Sequence, residues 1–487
     1  MQRLLPGPRQ RRNPSWDAPD EGSLGPDLRD LPPSAGADEN LSVFDLHQRD
    51  TICALATPRG RSAIAVVRLS GPRAFAWRDL IFRRRRIAAC PAFVALRGDV
   101  VDADDRVVDD AVCTSFPGPR SYSGEDLVEL SLHGSPLVVD LVMKRLLELG
   151  ARPAEPGELT LRAVLNQRID LASAEAVDVV VASKTAAALF AAQRALRGGL
   201  ADAVAPIRAI FVDALAELEA RLDFPDDELG LASRDALRAQ LGAAAAGLDD
   251  VLQGAQRGRR LSEGARVLLY GAPNAGKSTL LNALVGHERA LVHDEPGTTR
   301  DVLEAEAEIE GVAVVVVDVA GIRDPLTGDL HPVERAGIAR ALSEVKKADV
   351  VVVVTPAGTT PFPPPLAACV LPVCSKIDLV EPLPASTLGV SALSGAGLPE
   401  LRAAIARALG AACVDDDESL VQTARQEHTL RECRGAVEEA SRSLKDAPDE
   451  VVCSELRRAA RCLDRLLGKD VSADVLELVF TRFCIGK

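Results

Sequence analysis

A nine-residue segment in the middle of the chain, GAPNAGKST at 271–279, constrains the fold more than any other stretch. It follows an apolar run, ARVLLYG, and precedes a helical pattern, which is the strand–loop–helix context of a phosphate-binding loop. Gly271 and Gly276 allow the backbone N–H groups to turn towards phosphate oxygens. Lys277 is expected to reach the β- and γ-phosphates, and Ser278 to ligate Mg²⁺. The motif alone leaves the type of nucleotide open.

Four more motifs follow in order: GTTRD at 297–301, DVAG at 318–321, SKID at 375–378 and SAL at 391–393. Thr299 is expected to complete the magnesium shell, Asp318 to hold a magnesium-bound water, and the Gly321 N–H to sense the γ-phosphate. The Asp378 carboxylate can pair with guanine N1–H and its amino group, and SAL can close the base pocket. The five motifs together predict a GTP site.

Two positions depart from the usual pattern of such sites. Ser375 stands where Asn usually begins the guanine loop, and it has a shorter reach. Ile322 follows the DVAG glycine, where small signalling GTPases place a Gln that positions the attacking water. Since Ile cannot hydrogen-bond to water, another group must orient it, or hydrolysis must be very slow.

The spacing of apolar residues predicts α/β and all-α parts. Strand and helix signals alternate over 265–411, which is typical of a doubly wound parallel sheet. Strand-like runs and one helix predict a mixed α/β domain over 50–166. Helical spacing fills 167–264 and 412–487, with one helix predicted from Leu171 to the Gly pair at 198–199. The simplest architecture is an α/β domain inserted into a helical one.

Composition limits the functions open to the chain. Its net charge is −14 and only 3% of its residues are aromatic, so neither a basic surface that coats nucleic acid nor a base-stacking platform is expected. Any RNA contact must be local or shared with a partner. No apolar run approaches the roughly 18 residues that a membrane helix needs. The ten cysteines are scattered without metal-ligand spacing, which favours a reduced compartment.

Residues 1–49 are rich in Pro, Gly, Asp and Arg and lack hydrophobic periodicity, so a disordered N-terminal extension is predicted. Its arginines suggest an organellar transit peptide, but five acidic residues between Asp17 and Asp30 argue against one. A dispensable tail and a cytoplasmic protein are the preferred interpretation, with a mitochondrial location as the alternative.

The chain from Asp50 onward resembles the MnmE (TrmE) family of tRNA-modifying GTPases. The resemblance rests on the GTPase motifs and on DTICALATPRGRSAIAVVRLSG, FPGPRSYSGEDLVELSLHG, RPAEPGELTLRAVLNQRIDLASAEAV and the terminal FCIGK. It implies a homodimer with an N-terminal folate-binding domain, a helical domain and an inserted GTPase domain. It also implies an FAD-dependent partner, MnmG, forming a heterotetramer that modifies C5 of the wobble uridine of certain tRNAs. Tetrahydrofolate, in its 5-formyl or methylene form, would supply one carbon, and glycine or ammonium the amine.

The resemblance also assigns residues to sites. Asn274, His293, Glu295 and Thr298 would hold a K⁺ ion that replaces an arginine finger, and Glu334 would orient the attacking water, with Lys277 as the second catalytic residue. The folate pocket would take Arg68, Glu129, Arg168 and Lys487, next to the tail cysteine, Cys484. Nucleotide contacts are assigned to Asn274, Ala275, Gly276, Lys277, Ser278, Thr279, His293, Asp294, Glu295, Pro296, Gly297, Thr298, Thr299, Asp318, Val319, Ala320, Gly321, Ser375, Lys376, Ile377, Asp378, Ser391, Ala392 and Leu393.

Two other functions share part of this pattern. A ribosome-assembly GTPase would carry the same nucleotide motifs, but residues 50–166 and the terminal FCIGK argue against it. A one-carbon transfer protein with a decayed phosphate-binding loop would keep the N-terminal part. The intact Lys277, Ser278, Asp318 and Asp378 argue against that alternative.

Overall fold

The computed structural model describes most of the chain, namely residues 50–84, 91–223, 233–286, 302–319, 343–361, 363–367, 369–380, 388–409, 420–481, 483 and 485–486. The predicted N-terminal extension, 1–49, lies outside the described residues. So does the predicted boundary at 411/412 between the inserted and helical domains.

The N-terminal part is built on a seven-stranded sheet in the order β3-β4-β5-β6-β2-β1-β7. Only β1 and β7 run parallel; the other neighbours are antiparallel. Its strands are β1 Ile52–Leu55, β2 Ile64–Ser70, β3 Phe82–Arg83, β4 Leu96–Val101, β5 Val107–Phe116, β6 Leu127–His133 and β7 Arg152–Pro153. Three helices accompany them, α1 Ala74–Ile81, α2 Pro136–Glu148 and α3 Glu158–Leu165.

Helices cover both faces of this sheet. Since successive residues of a strand point to opposite faces, each strand contributes side chains to two cores. Cys53 belongs to a cluster that includes Trp77 of α1 and Leu146 of α2. Its neighbour Ile52 lies on the other face, in a cluster with Leu159 of α3. The chain from α3 onward therefore leaves from the face opposite α1 and α2.

A buried ion network fixes α3 to the sheet and to the loop before β6. Arg162 is fully buried and contacts the carboxylates of Asp50 at 2.6 Å, Glu158 at 2.9 Å and Glu125 at 3.1 Å. Arg152 of β7 adds contacts to Asp50 at 2.7 Å and Glu158 at 2.6 Å. Since a buried guanidinium without partners is costly, the network restricts how the 117–126 loop can move.

The helical part has its core formed by residues from both sides of the inserted domain. Its helices are α4 Leu171–Ala182, α5 Ala186–Leu196, α6 Gly199–Asp223, α7 Arg234–Gln253 and α8 Ala255–Glu263, followed after the insertion by α11 Ala424–Ser443, α12 Asp449–Leu466 and α13 Ala473–Phe480. The apolar residues of α6 recur every three or four positions, so one stripe packs against α7 and α12.

The single helix predicted over 171–198 is two helices. α4 ends at Ala182, and Thr185 begins α5 by accepting a hydrogen bond from the Ala188 N–H at 3.2 Å. The Ser183 hydroxyl donates to the Val179 carbonyl, and this bond competes with the backbone hydrogen bonds that would continue the helix. The prediction was wrong because apolar spacing continued across a capping residue.

The inserted part is a six-stranded sheet in the order β13-β12-β11-β8-β10-β9. Its elements are β8 Ala265–Gly271, α9 Lys277–Val285, β9 Val302–Ile309, β10 Val312–Val319, β11 Val350–Pro356, β12 Val370–Ser375, β13 Leu388–Val390 and α10 Leu398–Ala408. Five strands are parallel as predicted, and the predicted architecture of an α/β domain inserted into a helical one is confirmed.

β9 corrects the prediction of a purely parallel sheet. It pairs antiparallel with β10 along its whole length, from Val302 to Ile309. Its sequence, VLEAEAEI, alternates apolar and acidic residues, as expected of an edge strand with one face in water. The sheet is therefore mixed at this edge.

The two segments that connect the helical part with the inserted part lie next to each other. The Ser262 hydroxyl, at the end of α8, donates to the Gln422 carbonyl at 2.7 Å. α5 also contacts the insertion, since Ala188 and Ala191 belong to its core cluster. Lys184, in the turn before α5, pairs with Glu306 of β9. In the described parts of the chain, no helix is both long enough and apolar enough to span a bilayer.

Candidate functional site

The loop after β8 has a backbone that only particular residues permit. A Cβ on Gly271 would lie 2.4 Å from the Val354 carbonyl oxygen of the neighbouring β11, so glycine is required there. Gly276 has φ +92° and Asn274 has φ +60°, both in the left-handed region that Gly and Asn tolerate best. This backbone leads directly into α9 at Lys277.

Lys277 lies inside the loop. Its side chain is buried, and its ammonium donates to the Gly271 carbonyl at 3.1 Å and the Ala272 carbonyl at 3.0 Å. Burial lowers the pKa of Lys277, and the carboxylate of Asp318 opposes that shift. The loop thus concentrates ammonium and N–H donors where phosphate oxygens can be bound.

Ser278 and Asp318 meet at the carboxyl ends of β8 and β10. The Ser278 hydroxyl donates to Asp318 Oδ2. Asp318 Oδ1 is buried and, within the described residues, has no hydrogen-bond partner. A hydroxyl beside a buried carboxylate with a spare oxygen fits a hydrated Mg²⁺, which prefers oxygen ligands and retains waters. There the ion would neutralise charge on the β- and γ-phosphates.

Ser375 connects two loops of the site. Its hydroxyl is buried and donates to the Ala275 carbonyl at 2.7 Å. The next residue, Lys376, has φ +58° and donates to the Asn274 carbonyl at 2.8 Å. The sequence suggested only that Ser375 is too short to contact the base and did not reveal this contact. The geometry shows that its length suffices to hold the phosphate-binding loop.

The two candidate base loops lie side by side because β12 and β13 are parallel neighbours with Ser375 opposite Val390. Asp378 is exposed on a short 3₁₀ turn, Ile377–Leu379. Ser391 is buried, and its loop is closed by a bond from the Ser391 N–H to the Ala396 carbonyl at 2.8 Å. Ala392 and Leu393 follow at the rim. Both loops therefore face the same edge of the sheet as Lys277.

Several predicted site residues lie outside the described residues. They are His293, Asp294, Glu295, Pro296, Gly297, Thr298, Thr299, Ala320, Gly321, Ile322, Glu334, Cys484 and Lys487. Val319 is the last residue of β10, and only its backbone is described. The proposed K⁺ ligands, apart from Asn274, and the proposed water-orienting residue thus remain predictions.

A second set of predicted residues meets on the N-terminal sheet. Arg68 and Glu129 are opposite each other on β2 and β6, with Nε and Oε1 2.8 Å apart. Arg68 also donates to the Gly486 carbonyl at 3.2 Å, and its guanidinium lies 5.6 Å from the centre of the Tyr122 ring. The C-terminal tail therefore returns to the N-terminal domain, next to two of the predicted folate residues.

Arg168 reaches the same loop from the other side. Its Nε donates to the Ser121 carbonyl at 3.3 Å, one residue before Tyr122. A Cβ on Gly124 would lie 2.7 Å from Asn166 Cβ and 3.0 Å from Arg168 Cγ, so the 117–126 loop and the 166–168 turn are in close contact. Arg68 and Arg168 thus both contact the 117–126 loop, and Glu129 is paired with Arg68.

Comparison with known proteins identifies the family. The MnmE helical domain model matches residues 171–484, and the model of the GTP-binding protein TrmE N-terminus matches 51–168. The tRNA modification GTPase MnmE of Symbiobacterium thermophilum is 40% identical over 460 residues, covering 90% of this chain and 99% of the relative. That of Thermus thermophilus is 41% identical over 449 residues, covering 91% and 100%. The chain belongs to the MnmE family of tRNA modification GTPases.

Membership of the MnmE family makes the chain a GTP hydrolase of tRNA modification that binds GTP and Mg²⁺. A solved G domain of the T. maritima FeoB iron transporter is 21% identical with a TM-score of 0.24, covering 30% of this chain and 98% of that one. A TM-score that low supports no conclusion about this chain.

Proposed function

We propose that this MnmE-family protein is a K⁺-stimulated GTPase that works with an FAD-dependent, MnmG-like partner. Together they install a carboxymethylaminomethyl or aminomethyl group on C5 of the wobble uridine of tRNA. The one-carbon unit comes from 5-formyl- or methylene-tetrahydrofolate, and GTP hydrolysis drives a conformational change of the complex. The relatives support the tRNA-modifying role by their names, and their bacterial sources favour a cytoplasmic protein.

One observation carries the folate part of the proposal, namely the contact of the C-terminal tail with Arg68. The tail belongs to the helical part of the chain, yet the Gly486 carbonyl is bonded to Arg68, which is paired with Glu129. A carboxylate can bind the N–H groups of a pterin, and guanidinium groups can bind the glutamyl carboxylates. Arg68, Glu129 and Arg168, with Lys487 at the end of the tail, supply both kinds of group.

For the GTPase, we assign catalysis to Lys277 and Glu334 and the Mg²⁺ ligands to Ser278 and Thr299. K⁺ is assigned to Asn274, His293, Glu295 and Thr298, in a homodimer whose nucleotide faces meet. A cation beside the transferred phosphoryl group would supply the positive charge that an arginine supplies elsewhere. Asn274 supports this assignment because it lies in the loop just before Lys277.

The proposed reaction is tested by nucleoside mass spectrometry of tRNA from a bacterial strain that lacks its own MnmE. Expression of this chain should restore the modified wobble uridine, and Lys277→Ala should not. If a folded, GTP-hydrolysing protein fails, co-expression with the MnmG-like protein of its own source distinguishes an incompatible partner from a wrong assignment. Failure of that combination would overturn the proposal.

The proposed K⁺ dependence is tested separately by GTP hydrolysis rates in KCl and in NaCl at equal ionic strength. We expect faster hydrolysis in KCl, and we expect Asn274→Ala to remove the difference. An equal rate in both salts for the unaltered chain would contradict the assignment of a K⁺ site.

A further inference from the structure

A cavity of about 670 Å³ lies beside Arg168, one of the proposed folate residues, where the N-terminal and helical parts meet. The turn before α4, the α5–α6 junction and the end of α12 line it. The Leu171 N–H donates to the Leu467 carbonyl at 3.1 Å, and a Cβ on Gly468 would lie 2.8 Å from Leu171 Cβ. These contacts join the start of α4 closely to the end of α12. The volume of the cavity falls within the roughly 300 to 1,000 Å³ typical of small-molecule sites.

Three cations line this cavity among the described residues, one from each segment: Arg168, Arg197 and Lys469. In the described parts of the chain, none of them forms an ion pair with a carboxylate. The one acid among the described lining residues, Asp170, is the N-cap of α4, where it accepts from the Ser173 N–H at 2.7 Å and the Ser173 hydroxyl at 3.1 Å. In a chain of net charge −14, the cavity is thus locally positive.

Arg168 links the cavity to the proposed folate site. Its Nε donates a hydrogen bond to the Ser121 carbonyl. Tyr122, which follows Ser121, lies under the guanidinium of Arg68. A ligand whose pterin lies near Glu129 and Tyr122 can extend its glutamyl end towards Arg168, which lines the same cavity as Arg197 and Lys469.

We propose that this cavity binds the oligo-γ-glutamyl tail of the folate, so that the protein prefers polyglutamylated over monoglutamylated tetrahydrofolate. The inference rests on the proposed folate function. Each added glutamyl residue brings one more carboxylate, which Arg197 and Lys469 can pair with. Since these side chains are exposed at the mouth, each pair contributes modestly, and together they should give about a tenfold gain in affinity.

The test uses the full-length protein and two probes, 5-formyltetrahydrofolate with one glutamyl residue and with four. Titration calorimetry should show that the tetraglutamate binds about tenfold more tightly at low salt, and that the advantage shrinks as salt is added. Arg197→Ala combined with Lys469→Ala should abolish the advantage. Arg461→Ala, which removes another exposed arginine on α12, is the matched control and should preserve it, and thermal unfolding should show that all variants are folded.

Each contrary result has a distinct meaning. Equal affinities for the two probes, or an advantage that survives in the double variant, would overturn the inference and leave folate binding intact. If neither probe binds, the folate part of the proposed function fails as well. If the double variant loses tRNA affinity while the ratio between the probes stays unchanged, the cations serve nucleic acid instead and the inference is wrong.

Discussion

Ser375 shows how a single residue that departs from the usual motif still has a structural role. Its hydroxyl bonds the Ala275 carbonyl inside the site, so it holds the phosphate-binding loop next to the guanine loop. Ser375→Ala would leave that buried carbonyl without a donor, at a cost of about 1 kcal/mol, or roughly fivefold in affinity. We expect GDP to bind about fivefold more weakly, as measured by titration with a fluorescent analogue.

The matched control is Ser394→Ala, which changes an exposed serine in the neighbouring loop and should leave the GDP dissociation constant nearly unchanged. Ser375→Asn restores the usual residue and should bind at least as tightly as the natural chain. Unchanged affinity in Ser375→Ala would mean that the loop contact does not contribute to nucleotide binding.

His133 is the second residue with a measurable consequence. Its Nδ1 lies 2.7 Å from Asp109 Oδ1, and the hydrogen bond and charge of Asp109 raise the pKa of His133. Because the folded-state pKa is raised, the contact stabilises the fold below the unfolded value near 6.5 and is lost as the pH rises through the folded value. NMR titration of the ring protons should show His133 titrating above the usual range.

Asp109→Asn removes the charge and should bring the pKa of His133 back towards its ordinary value. The ring is exposed, so the effect on stability is small and the titration itself is the readout. A His133 titration that is identical in both proteins would show that the ion pair does not form in solution.

At the scale of elements, the C-terminal tail depends on Gly486. This residue has φ +93°, and a Cβ there would lie 2.5 Å from the Leu55 carbonyl oxygen and 2.7 Å from Ala56 Cα. Gly486→Val should therefore displace the tail and remove the carbonyl bonded to Arg68. We expect affinity for 5-formyltetrahydrofolate to fall at least about tenfold, measured by calorimetry.

Gly60→Val provides the control, since Gly60 also has a positive φ, +126°, but nothing lies within 4 Å of its Cβ position. Gly60→Val introduces the backbone strain of a valine at positive φ without the steric clash expected at Gly486. Equal losses of folate affinity in both variants would show that the position of the tail does not matter.

Some of the strands and helices could be predicted from the sequence, and others could not. The parallel strands β8, β10, β11, β12 and β13 were predictable because each is a short apolar run, and a nucleotide-binding motif follows all of them except β11. β9 was not, since its alternating Glu residues also fit an exposed segment, and only pairing with β10 decides between them. The division between α4 and α5 was missed because a capping Thr is a weak signal within a strong apolar period.

The site was predictable in the same uneven way. Lys277, Ser278 and Asp318 converge because their motifs end neighbouring parallel strands, which is a rule of the fold. The contacts of Gly486 and Arg168 join residues far apart along the chain, and no local pattern encodes such distances. The buried network around Arg162 was invisible for the same reason.

At the scale of the whole molecule, Glu175 connects the two parts of the helical domain across the insertion. This α4 residue is buried and accepts from Arg425 at 2.7 and 2.8 Å and from the Gln426 amide at 2.7 Å. Glu175→Ala would remove the carboxylate partner of these donors, at a cost of about 3 kcal/mol. We expect the thermal transition of the helical domain to fall by roughly 6 to 12 °C, measured by circular dichroism.

Glu438→Ala is the control for that experiment, because it removes another glutamate of the helical domain from exposed pairs with Arg434 and Arg442. Its transition should move by no more than a degree or two, since exposed pairs contribute little. A similar fall in the transition temperature of both variants would show that the buried contacts of Glu175 stabilise the domain no more than exposed ion pairs do.

The order of the chain has a consequence for its synthesis. The helical core joins residues before 256 to residues after 419, so it cannot close until the ribosome has made the whole inserted domain between them. At ordinary elongation rates that interval is on the order of 10 s. During it the apolar stripes of α6 and α7 have no native partner from α11 or α12, while the inserted sheet already has nearly all of its own core. A nascent chain of this protein therefore completes its later-encoded nucleotide domain before the earlier-encoded helices are finished, and those helices are where a chaperone would be needed.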